Sequence, residues 1–140
     1  MREILFQGKR LYNGKWVEGA FFNDGDGACY ICPVATDVSI SYGDNGNRRR
    51  IGCWYAVVPE TVGQYTGLND KNGKRIFEGD IVDILTENEE IGVVAYEDGG
   101  FLVDADGFCV DFHANINGTD LEIIGNVHDN PELLGGNDEL

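Results

Sequence analysis

Ile4-Leu5-Phe6-Gln7-Gly8-Lys9-Arg10-Leu11, then Asn13-Gly14, then Trp16-Val17-Glu18-Gly19-Ala20-Phe21-Phe22 is the stretch that decides the fold. Two apolar and aromatic runs flank an Asn-Gly pair, the strongest short-range hairpin signal, because a type I′ turn needs φ > 0 at both central residues. The same grammar repeats outward along the chain. Strands are expected at Ala28–Ile31, Val38–Ser41 and Cys53–Val58, and then at Ile81–Leu85, Ile91–Tyr96, Phe101–Val103, Phe108–Phe112 and Leu121–Val127. Asn72-Gly73, Asp98-Gly99-Gly100 and Asp104-Ala105-Asp106-Gly107 punctuate them. In Phe108-Cys109-Val110-Asp111-Phe112-His113, the alternation puts Phe108, Val110 and Phe112 on one side and the polar set on the other. One short helical turn is expected after Asn130, with Pro131 first and Gly135 ending it. The fold class is therefore mainly β, with short antiparallel strands and under about a fifth of residues in helix.

The organisation expected is an N-terminal hairpin unit over 1–60, with an exposed mobile loop over 41–50. A C-terminal unit follows over 61–134, and a flexible tail over 135–140; one compact domain is the alternative. Corner glycines in Gly79-Asp80-Ile81-Val82, Gly92-Val93-Val94 and Gly100-Phe101-Leu102-Val103 fit a partly open SH3-like small barrel across 76–127, or an antiparallel sheet of another topology.

Charge narrows the partners. The chain of 140 residues carries a net charge of −15, and all ten Lys and Arg lie at or before Arg75. From Ile76 to Leu140 there are seventeen acidic residues and no Lys or Arg. A duplex-binding surface works by displacing counterions with cations, so direct nucleic-acid binding and an anionic membrane are poor expectations for this half. A basic protein is a better one. Arg48-Arg49-Arg50 is the single basic cluster, read as part of the solvated loop. No apolar run approaches the ~20 residues that cross a bilayer, and Met1–Arg10 has no apolar signal core. The expected compartment is the cytoplasm.

Cys29-Tyr-Ile-Cys32 has ligand spacing but is half a site, and strand residues three apart face opposite ways. The four cysteines, with Cys53 and Cys109, read as unlinked thiols. Cys109, Asp111 and His113 share a strand face, yet Cys109 and His113 are separated by about 13 Å of strand, beyond hydrogen-bond reach. Asn23-Asp24-Gly25-Asp26-Gly27 and Asp104-Ala105-Asp106-Gly107 mimic calcium loops but lack the Glu that an EF-hand needs, so they read as turn chemistry. His128 reads as a turn hydrogen-bonder. No P-loop, dinucleotide fingerprint, G-x-S-x-G or H-E-x-x-H occurs. The expectation is a protein without catalytic residues, cofactor or metal.

Three segments carry a family resemblance. Ile4 to Gly19 is similar to the start of the YopX family of bacteriophage and prophage proteins. Thr61-Val62-Gly63-Gln64-Tyr65-Thr66-Gly67-Leu68, running into Asp70-Lys71-Asn72-Gly73-Lys74-Arg75-Ile76-Phe77-Glu78-Gly79-Asp80-Ile81-Val82, resembles its most characteristic stretch. Ile123-Ile124-Gly125-Asn126-Val127-His128-Asp129-Asn130-Pro131-Glu132-Leu133-Leu134 resembles its C-terminal motif. Asn23 to Arg50 lies outside these motifs. The resemblance implies a phage-associated, cytoplasmic protein that forms homo-oligomers and has no assigned reaction. Gly63, Gln64, Tyr65, Gly67, Asp70, Gly73, Glu78, Gly79 and Asp80 are the candidate partner-binding or motif residues. Their glycines also suit repeated chain reversal, a scaffold reading that needs no function. The expected function is a non-enzymatic, homo-oligomeric, protein-binding accessory factor. An acidic nucleic-acid mimic that occupies a basic host protein, and a phage structural component, are the alternatives.

Overall fold

Alternating apolar residues between turn signals do produce strands, and helix is confined, among the described residues, to short turns. The computed structural model describes residues 3–33, 40–42, 49–51, 54–86, 90–105, 108–112 and 117–135. The fold is mainly β. The chain divides into two compact units, Glu3–Gln64 and a unit that begins at Tyr65.

In the first unit, β1 (Phe6–Lys9), β2 (Trp16–Asn23), β3 (Cys29–Pro33) and β6 (Tyr55–Val57) form an antiparallel sheet in the order β6-β3-β2-β1. The chain just past β1 then returns to β6. Arg10 bridges Val57, the Val58 amide donates to the Lys9 carbonyl at 2.8 Å, and the Leu11 amide donates to the Ala56 carbonyl at 3.0 Å. The sheet thus closes on itself, which removes its free edges. Ile31 and Val57 are fully buried on the inner face, and Gly8 leaves room for them. A Cβ on Gly8 would sit 3.1 Å from both Ile31 Cδ1 and Val57 Cβ. The buried Thr61, ending the turn Pro59–Thr61, seals one end. Its Oγ1 accepts from the Lys9 amide at 2.9 Å and donates to the Val58 carbonyl at 2.6 Å.

Two expectations need correction here. The stretch 41–50 is not all loop. Its ends belong to β4 (Ile40–Tyr42) and β5 (Arg49–Ile51), which pair antiparallel, while 43–48 lie outside the described residues. The first hairpin does not use a two-residue type I′ turn. Gly14 alone has positive φ, at 70°, and the Arg10 amide bonds the Lys15 carbonyl around a four-residue loop. The double positive φ occurs instead at Asp98 (53°) and Gly99 (81°).

The second unit contains the hairpin of β7 (Gly63–Asn69, whose first two residues belong to the first unit and pair with β1) and β8 (Arg75–Phe77). The corner-glycine reading of this stretch missed both strands. A five-stranded antiparallel sheet follows. It holds β9 (Asp80–Ile84), β10 (Glu90–Glu97), β11 (Gly100–Ala105), β12 (Phe108–Asp111) and β13 (Leu121–Asn126), in the order β12-β11-β10-β9-β13. Val82, Ile84, Val94, Val103, Ala105 and Leu121 pack with Ile76 as its core, and Val110 and Phe112 join them as their alternation requires. Gly92 is needed for that packing, because a Cβ there would fall 2.5 Å from Val103 Cγ1. The turn after Asn130 is present as Pro131–Leu134, with Gly135 left-handed at its end.

Candidate functional site

The motif residues fall into a strand, a turn and a corner. Gly63 and Gln64 pair with Gln7 and Phe6. Tyr65 pairs with Phe77, its ring 5.6 Å from the Phe77 ring centroid, and its hydroxyl donates to Asn69 Oδ1 at 2.5 Å. Gly67, at φ 92°, carries the irregularity between Tyr65 and Asn69, a backbone setting open mainly to glycine.

Asp70 holds the turn that follows. Its Oδ1 accepts from the Asn72 and Lys74 amides at 2.8 and 2.9 Å, and its Oδ2 accepts from the Ile123 amide at 3.0 Å. Burial by itself pushes this carboxyl up. The three amides and the Lys74 charge outweigh that, and the group is held below its ordinary value of 3.8. Gly73, at φ 83°, closes the turn by donating to the Asp70 carbonyl.

At the corner, half-buried Glu78 precedes Gly79, which has φ 95°. The Gly79 amide donates to Val94, and its carbonyl accepts from Val127. Asp80, also buried, accepts from the Phe77 amide at 2.8 Å through Oδ2. Two segments distant in sequence therefore meet. The middle motif grips the C-terminal one at Ile123 through Asp70 and at Val127 through Gly79. Inside the C-terminal segment, Asn126 Oδ1 accepts from the His128 and Asp129 amides, both at 2.9 Å. These residues do backbone work, satisfying amides that burial would otherwise strand.

Asp24 Oδ1 accepts from the Asp26 and Ala28 amides, and Asn23 Oδ1 from the Gly25 amide, so this loop uses its side chains on itself. Cys29 and Cys32 sit on β3 facing opposite ways, paired with Asn23 and Ala20, and neither forms a disulfide. Cys109 is exposed. Residual desolvation and then the neighbouring Asp104 carboxylate, to which its thiol donates at 3.7 Å, push it up. Neither influence favours a nucleophilic thiolate. His113, Cys53 and Arg48 lie outside the described residues. No group of three or more metal-ligating side chains occurs among the described residues, and no helix there is long and apolar enough to cross a membrane.

What remains outward-facing differs by unit. The first unit shows an aromatic group, with Phe22 ring centroids 5.5 Å from Trp54 and 6.2 Å from Tyr30. The second presents carboxylates, with Glu97, Asp98, Asp104, Asp111, Asp129 and Glu132 all exposed. The sequence reading passed over one further residue. Asp83, in the apolar run Asp80-Ile81-Val82-Asp83-Ile84, was visible only as an acid inside a strand.

Comparison with known proteins fits this architecture. The chain is 27% identical to protein EF1440 from Enterococcus faecalis, whose crystal structure matches with a TM-score of 0.60 over 96% of this chain and 99% of that one. It is 32% identical over 108 residues to the SPbeta prophage-derived uncharacterized protein YopX of Bacillus subtilis (strain 168), covering 72% of this chain and 71% of that protein. The YopX protein family model matches residues 29–135, which include both the middle and the C-terminal motifs. By that match and by its 32% identity to the Bacillus subtilis protein, the chain belongs to the YopX family.

Proposed function

We propose that this chain is a phage- or prophage-associated accessory protein that acts without catalysis, by binding another protein, and works as a homo-oligomer in the host cytoplasm. The observation that carries the reading is the charge division. Seventeen Asp and Glu face no Lys or Arg after Ile76, while residues 3–64 hold six Lys and Arg against seven Asp and Glu. One unit is nearly neutral and the other strongly anionic. Six of the acids are exposed on strands and turns, while the apolar positions of the same strands fill the core. Such a field steers a basic partner and repels nucleic acid and anionic membrane. Exposed Phe22 and Trp54, with half-buried Tyr30 beside them, supply apolar area for self-association.

The test is the association rate with a captured partner, measured while the Debye length shortens from about 30 Å to about 8 Å. A fall of about tenfold is expected. Neutral variants at Glu97 and Asp98, compared with neutral variants at Glu87, Glu89 and Glu90, show which part of the field steers; Glu87 and Glu89 lie outside the described residues. Salt-independent rates would leave the acidity as a solubility device. The same charge favours a second reading, mimicry of nucleic acid. In that case the partner is a DNA-binding protein and duplex DNA displaces this chain from it.

A further inference from the structure

We propose that the face of the five-stranded sheet opposite its core, around Asp83, is a docking surface for a cationic extended segment of a partner protein. This rests on the reading that the acidic unit binds a basic protein, and it adds the place and the anchor.

Strand register sets the neighbours. Asp83 on β9 lies between Ile91 on β10 and Glu122 on β13. Its Oδ1 is shut off from solvent and receives no hydrogen bond among the described residues. A buried carboxylate oxygen without a donor is costly, and native chains leave very few. Register makes the position harder still, since two carboxylates directly across a strand pair repel. The local cation does not answer this, because Lys71 Nζ pairs with Glu122 at 3.4 Å. No Lys or Arg follows Arg75, so the strands of the sheet itself supply no other.

The surroundings specify what would answer it. Ile91 is 37% exposed and Leu85, just past the end of β9, is 42% exposed, although both are large and apolar. Val93 in the next row is half-buried, and Asp104 beyond it is exposed. Along β9 this face alternates Ile81, Asp83 and Leu85, and its neighbours add both apolar and anionic positions, the complement of an extended segment that alternates Arg or Lys with aliphatic residues. Part of the same face is already covered by the chain itself. Gly125, in the row of Ile81, lies under the turn Pro131–Leu134, and a Cβ there would come within 2.9 Å of Leu133 Cδ1. A guanidinium placed beside the half-buried Asp83 would pair with its carboxylate and lay its stem on Ile91 and Leu85.

The experiment is a titration of the full-length protein with a short capped peptide of alternating arginine and valine, read by backbone amide shifts. The expected shifts concentrate on β9 and β10 around Asp83 and Ile91. Asp83→Asn should weaken binding about thirtyfold, the low end for losing one partner of a desolvated charge pair. Glu132→Gln, exposed and distant in sequence, should change it less than about twofold. Asp83→Asn should also melt at the same temperature as the parent or higher, because it removes a carboxylate one oxygen of which the free protein leaves without a donor. Ile91→Lys gives a second route to loss of binding. Shifts scattered over the acidic unit, with equal effects from Asp83→Asn and Glu132→Gln, would overturn the docking face while leaving the field reading intact. A lower melting temperature for Asp83→Asn would make Asp83 a structural group and sink the proposal. The same amides shifting with protein concentration alone would make the occupant a second copy rather than a partner protein.

Discussion

The two units use the same short antiparallel strands but hold them by different means. Residues 3–64 close by backbone contact, with Arg10 bridged to Val57 and glycines where chains approach most closely. Among the described residues, their one buried polar anchor is a hydroxyl, Thr61. The unit beginning at Tyr65 relies on carboxylates, Asp70 and Asp80, each buried and each accepting backbone amides. The difference shows that an acidic sequence is not only an acidic surface. Some of its negative charge is structural, spent on amides inside the fold, and only the remainder is available to a partner.

Substitutions break this comparison in a definite order. Gly19→Ala should be the most damaging, because its Cβ would fall 1.9 Å from the Cys32 carbonyl oxygen, and backbone cannot swing aside. A loss of about 4 kcal/mol, or no folded protein, is expected from denaturant melts. Asp70→Ala comes next, at about 3 kcal/mol, since it removes a charged acceptor and leaves three amides unmet. An outcome below about 1 kcal/mol would mean water replaces the carboxylate.

Asp70 also predicts a pH dependence. Its folded value lies below its unfolded value, so the stabilisation is present above the ordinary value of 3.8 and is lost as pH falls through the depressed folded one. In Asp70→Asn the acid limb of stability against pH should flatten over that interval. An unchanged limb would assign acid sensitivity to other carboxylates.

Smaller effects sharpen the contrast. Gly8→Ala should cost about 2 kcal/mol, as contacts of 3.1 Å force Ile31 and Val57 to give way. Thr61→Val keeps the shape but drops one accepted and one donated hydrogen bond, for about 1–2 kcal/mol. If Thr61→Val proved as costly as Asp70→Ala, the proposed difference between the units would fail.

Local grammar was readable in much of the chain. The strand expected at Ala28–Ile31 is present as Cys29–Pro33, the faces of Val110 and Phe112 follow from alternation, and the turn after Asn130 follows from its Pro and Gly. The strands β7 and β8 were not readable, because Gly63, Gly67 and Gly73 look like corners when nothing indicates which amides they pair with. Gly67 is a bulge inside a strand, and only its partner strand reveals that. The ends of the stretch 41–50 were misread for a similar reason: Ser41 and Arg50 are polar, but they are paired with each other. Asp83 was missed because a charged residue in a strand reads as solvent-facing until the burial of its oxygen is known.

The sequence by itself determined the class of this protein, mainly β, its uneven charge and the motifs of its family. Those properties are local or additive: alternation sets strand faces, composition sets net charge, and short patterns survive without knowledge of their surroundings. Only the tertiary structure decided what the motifs are for in the fold. Asp70 becomes a three-amide anchor because Ile123, fifty-three residues away, delivers its N–H to the same carboxylate. The first unit becomes closed because Arg10 reaches Val57. Pairings of that kind depend on which distant backbone groups are brought together, and in a β protein they carry both the burial of polar groups and the closing of edges.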